Sequence, residues 1–219
     1  MKFFFSAFLI FFLTKPLLSN NFETTYEVST KGIIIGSLTW SLDVKDKRYV
    51  TFINLKNKGF ISKLYAFEGE YRSMGIIKNS FLLSEKYNQF WKTKKKERRV
   101  EITYKNMGIE KIVITPKEKE LPRIDLKKLR NYNDPITSFL NIIFNQGPVY
   151  TIDGRRTYLL YPIKKEGFSK ILIEEYKNIW ADHKRNDLEY LEIFMKKGEV
   201  LPDQIKVMFK GSIFTLKKI

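Results

Sequence analysis

Polar and apolar residues alternate along most of this chain, the period-two signature of β-strands with one covered face. Residues 37–44 show it most cleanly: Leu38, Trp40, Leu42 and Val44 share one face, and Ser37, Thr39, Ser41 and Asp43 the other. Turn signals punctuate the pattern at Lys45-Asp46-Lys47, Asn106-Met107-Gly108, Asp153-Gly154, Lys196-Lys197-Gly198 and Lys210-Gly211. Gly32 and Gly36 bracket an apolar triplet and predict a turn or bulge. A longer strand is expected over residues 60–72, with a turn near Gly75, followed by an extended segment over 76–91 with Ser84-Glu85 as a break.

The alternation gives way once, between Asp134 and Asn145, where the period lengthens. Asp134 suits an N-cap and Pro135 the first helical position. Ile136, Phe139, Leu140, Ile143 and Phe144 then form one apolar stripe, widened by Ile142. A helix of about three turns is unstable alone, so its stripe has to be buried on a sheet. Several strands carry apolar residues on both faces: Tyr158 and Leu160 oppose Leu159 and Tyr161, and Leu191 and Ile193 oppose Tyr190 and Phe194. Such a sheet must be covered twice. The predicted fold is therefore mainly β, with about ten antiparallel strands in a curved sheet or half-barrel and one covering helix at about 134–145.

The first residues follow a different rule. Met1-Lys2 precedes an apolar run over residues 3–13, with Pro16 beyond it. That run is too short to cross a bilayer and matches the apolar core of a secretory signal peptide. The expectation is a leader over residues 1–19, a single β-rich envelope domain over 20–219, and a periplasmic location.

Composition adjusts this picture in two ways. With no cysteine among 219 residues, disulfides, thiolate nucleophiles and Cys-ligated zinc are excluded. The formal charge is +16, and half of it lies in residues 91–130, where 14 Lys and Arg face 6 Asp and Glu. Lys far outnumbers Arg, and Asn, Ile and Phe are plentiful, the composition that an AT-rich genome produces. An exported protein also does not meet nucleic acid. The densest run, residues 92–99 (KTKKKERR), reads as a solvated hairpin tip that discourages edge pairing. Its functional alternative is peripheral contact with an anionic membrane.

Catalytic patterns are missing: there is no phosphate-binding glycine loop, no His-Glu-x-x-His and no serine elbow. One histidine, His183, follows Asp182 in a polar segment and cannot build a multi-histidine metal site. Glu174 and Glu175 are adjacent in a strand and face opposite sides. The chain is expected to be no enzyme and to use no cofactor or metal. Candidate ligand-binding residues are Trp40, Phe139 and Ile143 for an apolar cavity beside the helix, and Arg155 and Arg156 for an anionic group.

The order of these features, DPITSFL, then VYTIDGRRTYLLYP, then LEYLEIFMKKGEVLPDQIKVMFKGSIFTL, resembles the bacterial envelope family known as domain of unknown function 3108. Many members carry a Cys in the strand after the Asp-Gly-Arg hairpin, whereas Ile171-Leu172-Ile173 has none here. The resemblance implies a secreted, β-rich protein and brings no catalytic residues. At the level of fold it suggests the half-barrel and helix of outer-membrane lipoprotein carriers, which hold acyl chains. Two functions follow as expectations: binding or carrying a lipid or other amphiphile, or structural or assembly work through contacts with another envelope protein.

Overall fold

The computed structural model describes residues 20–57, 67–145, 147–181 and 187–219. The expected leader and the Asp182-His183 pair lie outside the described residues, as does most of the strand expected over 60–72. Among the described residues thirteen strands, rather than about ten, form one antiparallel sheet. They are β1 (Asn20–Thr30), β2 (Ile33–Lys45), β3 (Arg48–Asn57), β4 (Phe67–Lys78), β5 (Phe81–Thr93), β6 (Glu97–Lys105), β7 (Gly108–Thr115), β8 (Val149–Ile152), β9 (Arg156–Lys165), β10 (Phe168–Asn178), β11 (Leu188–Phe194), β12 (Gln204–Phe209) and β13 (Ser212–Lys218). One α-helix, α1 (Pro135–Asn145), interrupts them. The order runs from β7 down to β1, then from β13 down to β8, so the first and last strands pair at the centre and β7 and β8 are the two edges.

The sheet does not close by pairing its edges, yet its two ends approach. At Gly154, in the β8–β9 turn, a Cβ would stand 2.4 Å from the Val100 side chain of β6, and φ is +87°, so only glycine fits there. The connection from β7 to α1 straps the gap. It forms a bridge with β7 at Gly108 and Arg130, and one with β8 at Asn133 and Thr151. Its Arg123 N–H also donates to Ile179 O at 2.7 Å, just past β10. One apolar cluster fills the interior, with Tyr26, Trp40, Leu42, Tyr87, Ile102, Leu140, Ile152 and Ile205 among its buried members.

The turn expected near Gly75 lies farther on. β4 runs through Gly75 to Lys78, and the left-handed pair Asn79 (φ 50°) and Ser80 (φ 66°) makes the turn. Gly75 instead sits at a bulge, where a Cβ would come within 1.9 Å of Leu83 O. Opposite that bulge, β5 leaves its partner. β5 and β6 pair only from Lys86–Thr103 to Lys92–Glu97, so the first residues of β5 have no strand on that side. Helix α1 covers them. The Asn141 carboxamide accepts from Leu82 N–H and donates to Leu82 O, both at 2.8 Å, as a neighbouring strand would. The Asn133 Oδ1 accepts from Ser84 N–H at 3.0 Å. Asn145 Nδ2 donates to Ser80 O at 3.1 Å.

The helix N-terminus is bonded most densely. Asp134 is fully buried, and its Oδ1 accepts from the N–H groups of Ile136 (3.0 Å) and Thr137 (3.1 Å), the expected cap. Its Oδ2 accepts from the hydroxyls of Ser73 on β4 (2.6 Å), Ser84 on β5 (2.6 Å) and Thr137 (2.7 Å). Burial first, and then the Asp134 charge, raises the pKa of Tyr49 on β3 well above the usual tyrosine value. Because Thr137 Oγ1 gives its own proton to Asp134 Oδ2, the Tyr49 hydroxyl supplies the proton of its 2.6 Å bond to Thr137 Oγ1.

This network rotates the helix from the expected orientation. The buried face is Ile136, Thr137, Ser138, Leu140, Asn141 and Ile142, while Phe139 and Ile143 are partly covered and Phe144 is 42% exposed. Thr137 and Asn141 outrank Phe144 because their bonds exist only if they face the sheet. Leu140→Ala should thus cost about 2–5 kcal/mol in urea unfolding, as for a buried leucine. Phe144→Ala should cost under about 1 kcal/mol, as at an exposed position. Asp134→Ala should cost at least about 3 kcal/mol, more than the roughly 1 kcal/mol of an exposed cap, since three buried hydroxyls lose their acceptor with it.

Candidate functional site

Between the first turns of α1 and the inner face of the sheet lies a cavity of about 390 Å³, open to solvent. Inward positions of six strands wall it: Leu38 and Trp40 (β2), Ile53 and Leu55 (β3), Tyr71 (β4), Leu191 (β11), Ile205 and Val207 (β12) and Leu216 (β13). Tyr87 and Gln89 of β5 and Tyr158 of β9 also reach it. Strand alternation explains this set, because each strand offers every second residue to the same interior. Pro135, Ile136 and Phe139 close it on the helix side.

Two expected residues meet here. Trp40 is 2% exposed, its ring centroid lies 5.7 Å from that of Phe139 at a tilt of 46°, and its Nε1–H donates to Thr51 Oγ1 at 2.8 Å. A satisfied indole can line an apolar space without costing a lost hydrogen bond. Ile143 is not in this wall; it packs where the main cluster meets a smaller one around Ile142, Tyr158, Leu160, Ile171 and Ile193.

The arginine pair does not line this wall and lies beside acidic side chains of the protein. Arg155 Nε lies 2.8 Å from Glu118 Oε1, and Arg98 NH1 reaches the same oxygen at 2.9 Å. Arg156 NH1 stands 3.7 Å from Asp153 Oδ2, and its guanidinium lies 5.6 Å from the Tyr176 ring centroid. Each guanidinium thus has an acidic side chain beside it, while the buried Nε of each makes no well-aligned hydrogen bond among the described residues. The basic run is partly engaged as well, since Arg99 pairs with Glu97 at 3.1 Å and covers the Phe90 ring at 4.7 Å. Lys92, Lys94, Lys95 and Lys96 are exposed at the tip between β5 and β6.

Asp153 is the charged group that lines the cavity, and the sequence marked it only as a turn residue. Its Oδ1 accepts from the N–H groups of Arg155 (2.8 Å) and Arg156 (2.7 Å). Burial raises its pKa above the ordinary aspartate value, against the lowering influence of Arg156 and the two N–H donors. Burial pushes the Tyr87 and Tyr158 hydroxyls well up too, and Asp153 adds to both shifts. The interior end of the cavity thus carries neutral hydroxyls, one amide and one desolvated carboxyl. It offers no nucleophile–base pair. Among the described residues there is no group of three or more His, Asp or Glu that could hold a metal ion, and no helix is long and apolar enough to cross a membrane.

No family model matches the chain, and no curated protein does. A solved structure does. The chain is similar to a β-barrel-like protein of domain of unknown function DUF1849 from Brucella abortus, with a TM-score of 0.55 and 8% identity over 93% of this chain and 96% of that one. At that identity the likeness concerns the fold, which is mainly β and barrel-like. It also corrects the resemblance to domain of unknown function 3108, which no family model supports, since the solved structure that the chain resembles is of a different domain. The motifs behind that resemblance are local devices. Asp134-Pro135 starts a helix, Asp153-Gly154 makes a hairpin turn, and Leu201-Pro202 precedes a strand; each serves any fold that needs it.

Asp153 gives a pH test. A carboxyl whose folded pKa is raised binds its proton more tightly when folded, so it favours the folded state at low pH and loses that advantage as pH rises. Asn at this position keeps the acceptor for both N–H groups but does not titrate. The stability of Asp153→Asn relative to the parent should therefore increase from about pH 4 to pH 7. Paired urea titrations across that range measure it; a constant difference would mean that Asp153 is not desolvated.

Proposed function

We propose that this protein binds a lipid or other amphiphile in the cavity between α1 and the sheet, as an exported protein of the bacterial periplasm. The supporting observation is the apolar wall of Trp40, Phe139, Leu55, Ile205 and Val207 around about 390 Å³, near the lower end of ligand pockets at roughly 300–1,000 Å³. A space of this size suits one acyl chain better than a whole diacyl lipid. The +16 charge and the lysines at the β5–β6 tip favour approach to anionic membrane surfaces. The arrangement supports binding rather than catalysis, and no cofactor or nucleic-acid partner enters this proposal.

A second reading, contact with another envelope protein, draws on the outer face. Tyr161, Leu172, Tyr190, Met208 and Ile213 form one cross-strand row over β9–β13, and Tyr161 and Ile213 are each 43% exposed.

The two readings separate by experiment. A fluorescent fatty acid titrated into the purified protein should bind saturably and be displaced by lipid extracted from the same preparation. Val207→Trp, which fills the cavity, should weaken binding at least about tenfold, whereas Tyr161→Ser on the outer face should not change it. Loss of a crosslinked protein in Tyr161→Ser, with no fatty acid bound by the parent, would favour the second reading.

A further inference from the structure

A separate cleft of about 740 Å³ opens where β5 parts from β6, and none of its lining residues lines the apolar cavity. At its inner end stands Tyr104, 7% exposed, whose hydroxyl has no hydrogen-bond partner among the described residues. A buried hydroxyl left unpaired costs folding free energy and calls for an explanation. The cleft is lined by the amides of Asn106, Asn131, Asn133 and Asn141 and by three charged side chains, Lys78, Glu85 and Lys105. Asn133 spends its carboxamide oxygen on Ser84, and no hydrogen bond from its Nδ2 is seen among the described residues. One wall carries Tyr132 and Tyr150, with ring centroids 5.2 Å apart at a tilt of 38°. Exposed Phe81 and Met107 stand at the rim. Two of the rim charges are matched within the protein, Glu85 by Arg48 and Lys105 by Glu110 at 3.8 Å.

We infer that this cleft is a binding site for an uncharged saccharide. A pyranose ring presents C–H groups on its face and hydroxyls on its edge. The tyrosine pair meets the first, and Tyr104 and Asn133 meet the second, since a phenol can both donate and accept and an amide offers two N–H donors. Of the three lining charges Glu85 and Lys105 are already paired, which leaves Lys78 alone to attract a charged sugar. An extended peptide fits less well, because the backbone groups of Leu82 and the Ser84 N–H on the open side of β5 are already occupied by Asn141 and Asn133.

Calorimetric titration of the full chain with maltotriose, cellotriose and chitotriose, and with trigalacturonate as the anionic counterpart, tests this. At least one neutral trisaccharide should bind saturably, and trigalacturonate more weakly. Tyr104→Phe should weaken the neutral sugar roughly five- to tenfold, the loss of one hydrogen bond, without lowering Tm. Tyr132→Ala should weaken it further, while Val207→Trp in the apolar cavity should leave it unchanged, so the outcome is independent of amphiphile binding. Failure of all three neutral sugars, tighter binding of trigalacturonate, or unchanged affinity in Tyr104→Phe would overturn the inference. A lower Tm in Tyr104→Phe would also overturn it, because the hydroxyl would then have a partner within the fold.

Discussion

The structure depends on one buried carboxylate. Among the described residues no cation pairs with Asp134; five donors from its own helix and from β4 and β5 stand in for water. Hydrogen bonds to a charged group are among the stronger ones, and they fail together if the geometry is lost. The helix start, the small inward residues of β4 and β5 and the phenol of Tyr49 must therefore be in place at once. Ser73 and Ser84 leave room for the helix where a larger side chain would keep it off the sheet.

That anchoring explains why the sheet stays open. The helix occupies the side of β5 that β6 would otherwise pair with, and Asn141 supplies the missing ladder bonds at Leu82. Backbone groups at this depth need partners, and side-chain amides are the remaining source once a strand has turned away. The strap between β7 and α1 then joins the two ends through single bridges at Arg130 and Asn133 instead of a continuous ladder. The result is a barrel-like shape with a seam, and the 740 Å³ cleft lies along that seam.

Much of this was legible in the sequence, for local reasons. Alternation exposed the inward face of β2, and Asp134-Pro135 marked the helix start to the residue. Asp153-Gly154 marked the hairpin that now touches β6. What escaped was set by partners distant along the chain. Ser84-Glu85 read as a break, and the ladder does slip there, with Glu85 left over between the Ser84–Gly75 and Lys86–Met74 pairs; nothing local says that the Ser84 hydroxyl meets a carboxylate 50 residues later. Phe144 read as core because a stripe of apolar residues outweighs Thr137 and Asn141 until their partners are known. The turn at Asn79-Ser80 was missed because Gly75 is the stronger turn signal, and a bulge needs glycine for the same lack of a Cβ. In the candidate site, Trp40 and Phe139 were visible as apolar residues on inward faces. That Arg155 stands beside Glu118 could not be read from the sequence, because Glu118 lies in an irregular connection with no periodicity to place it.

The polar anchoring also accounts for the apolar space. A helix held by its hydrophobic stripe must settle until that stripe is filled, because packing is then its main source of stability. Here the position of α1 is fixed by Asp134 at one end and Asn145 at the other, with Asn141 between. The side chains of Phe139 and Ile136 take whatever distance those bonds leave from Trp40, Ile53 and Leu55. A fold that spends polar bonds on positioning its one helix can keep an unfilled apolar volume beneath it. The helix keeps its place through those bonds whether or not the volume beneath it is filled.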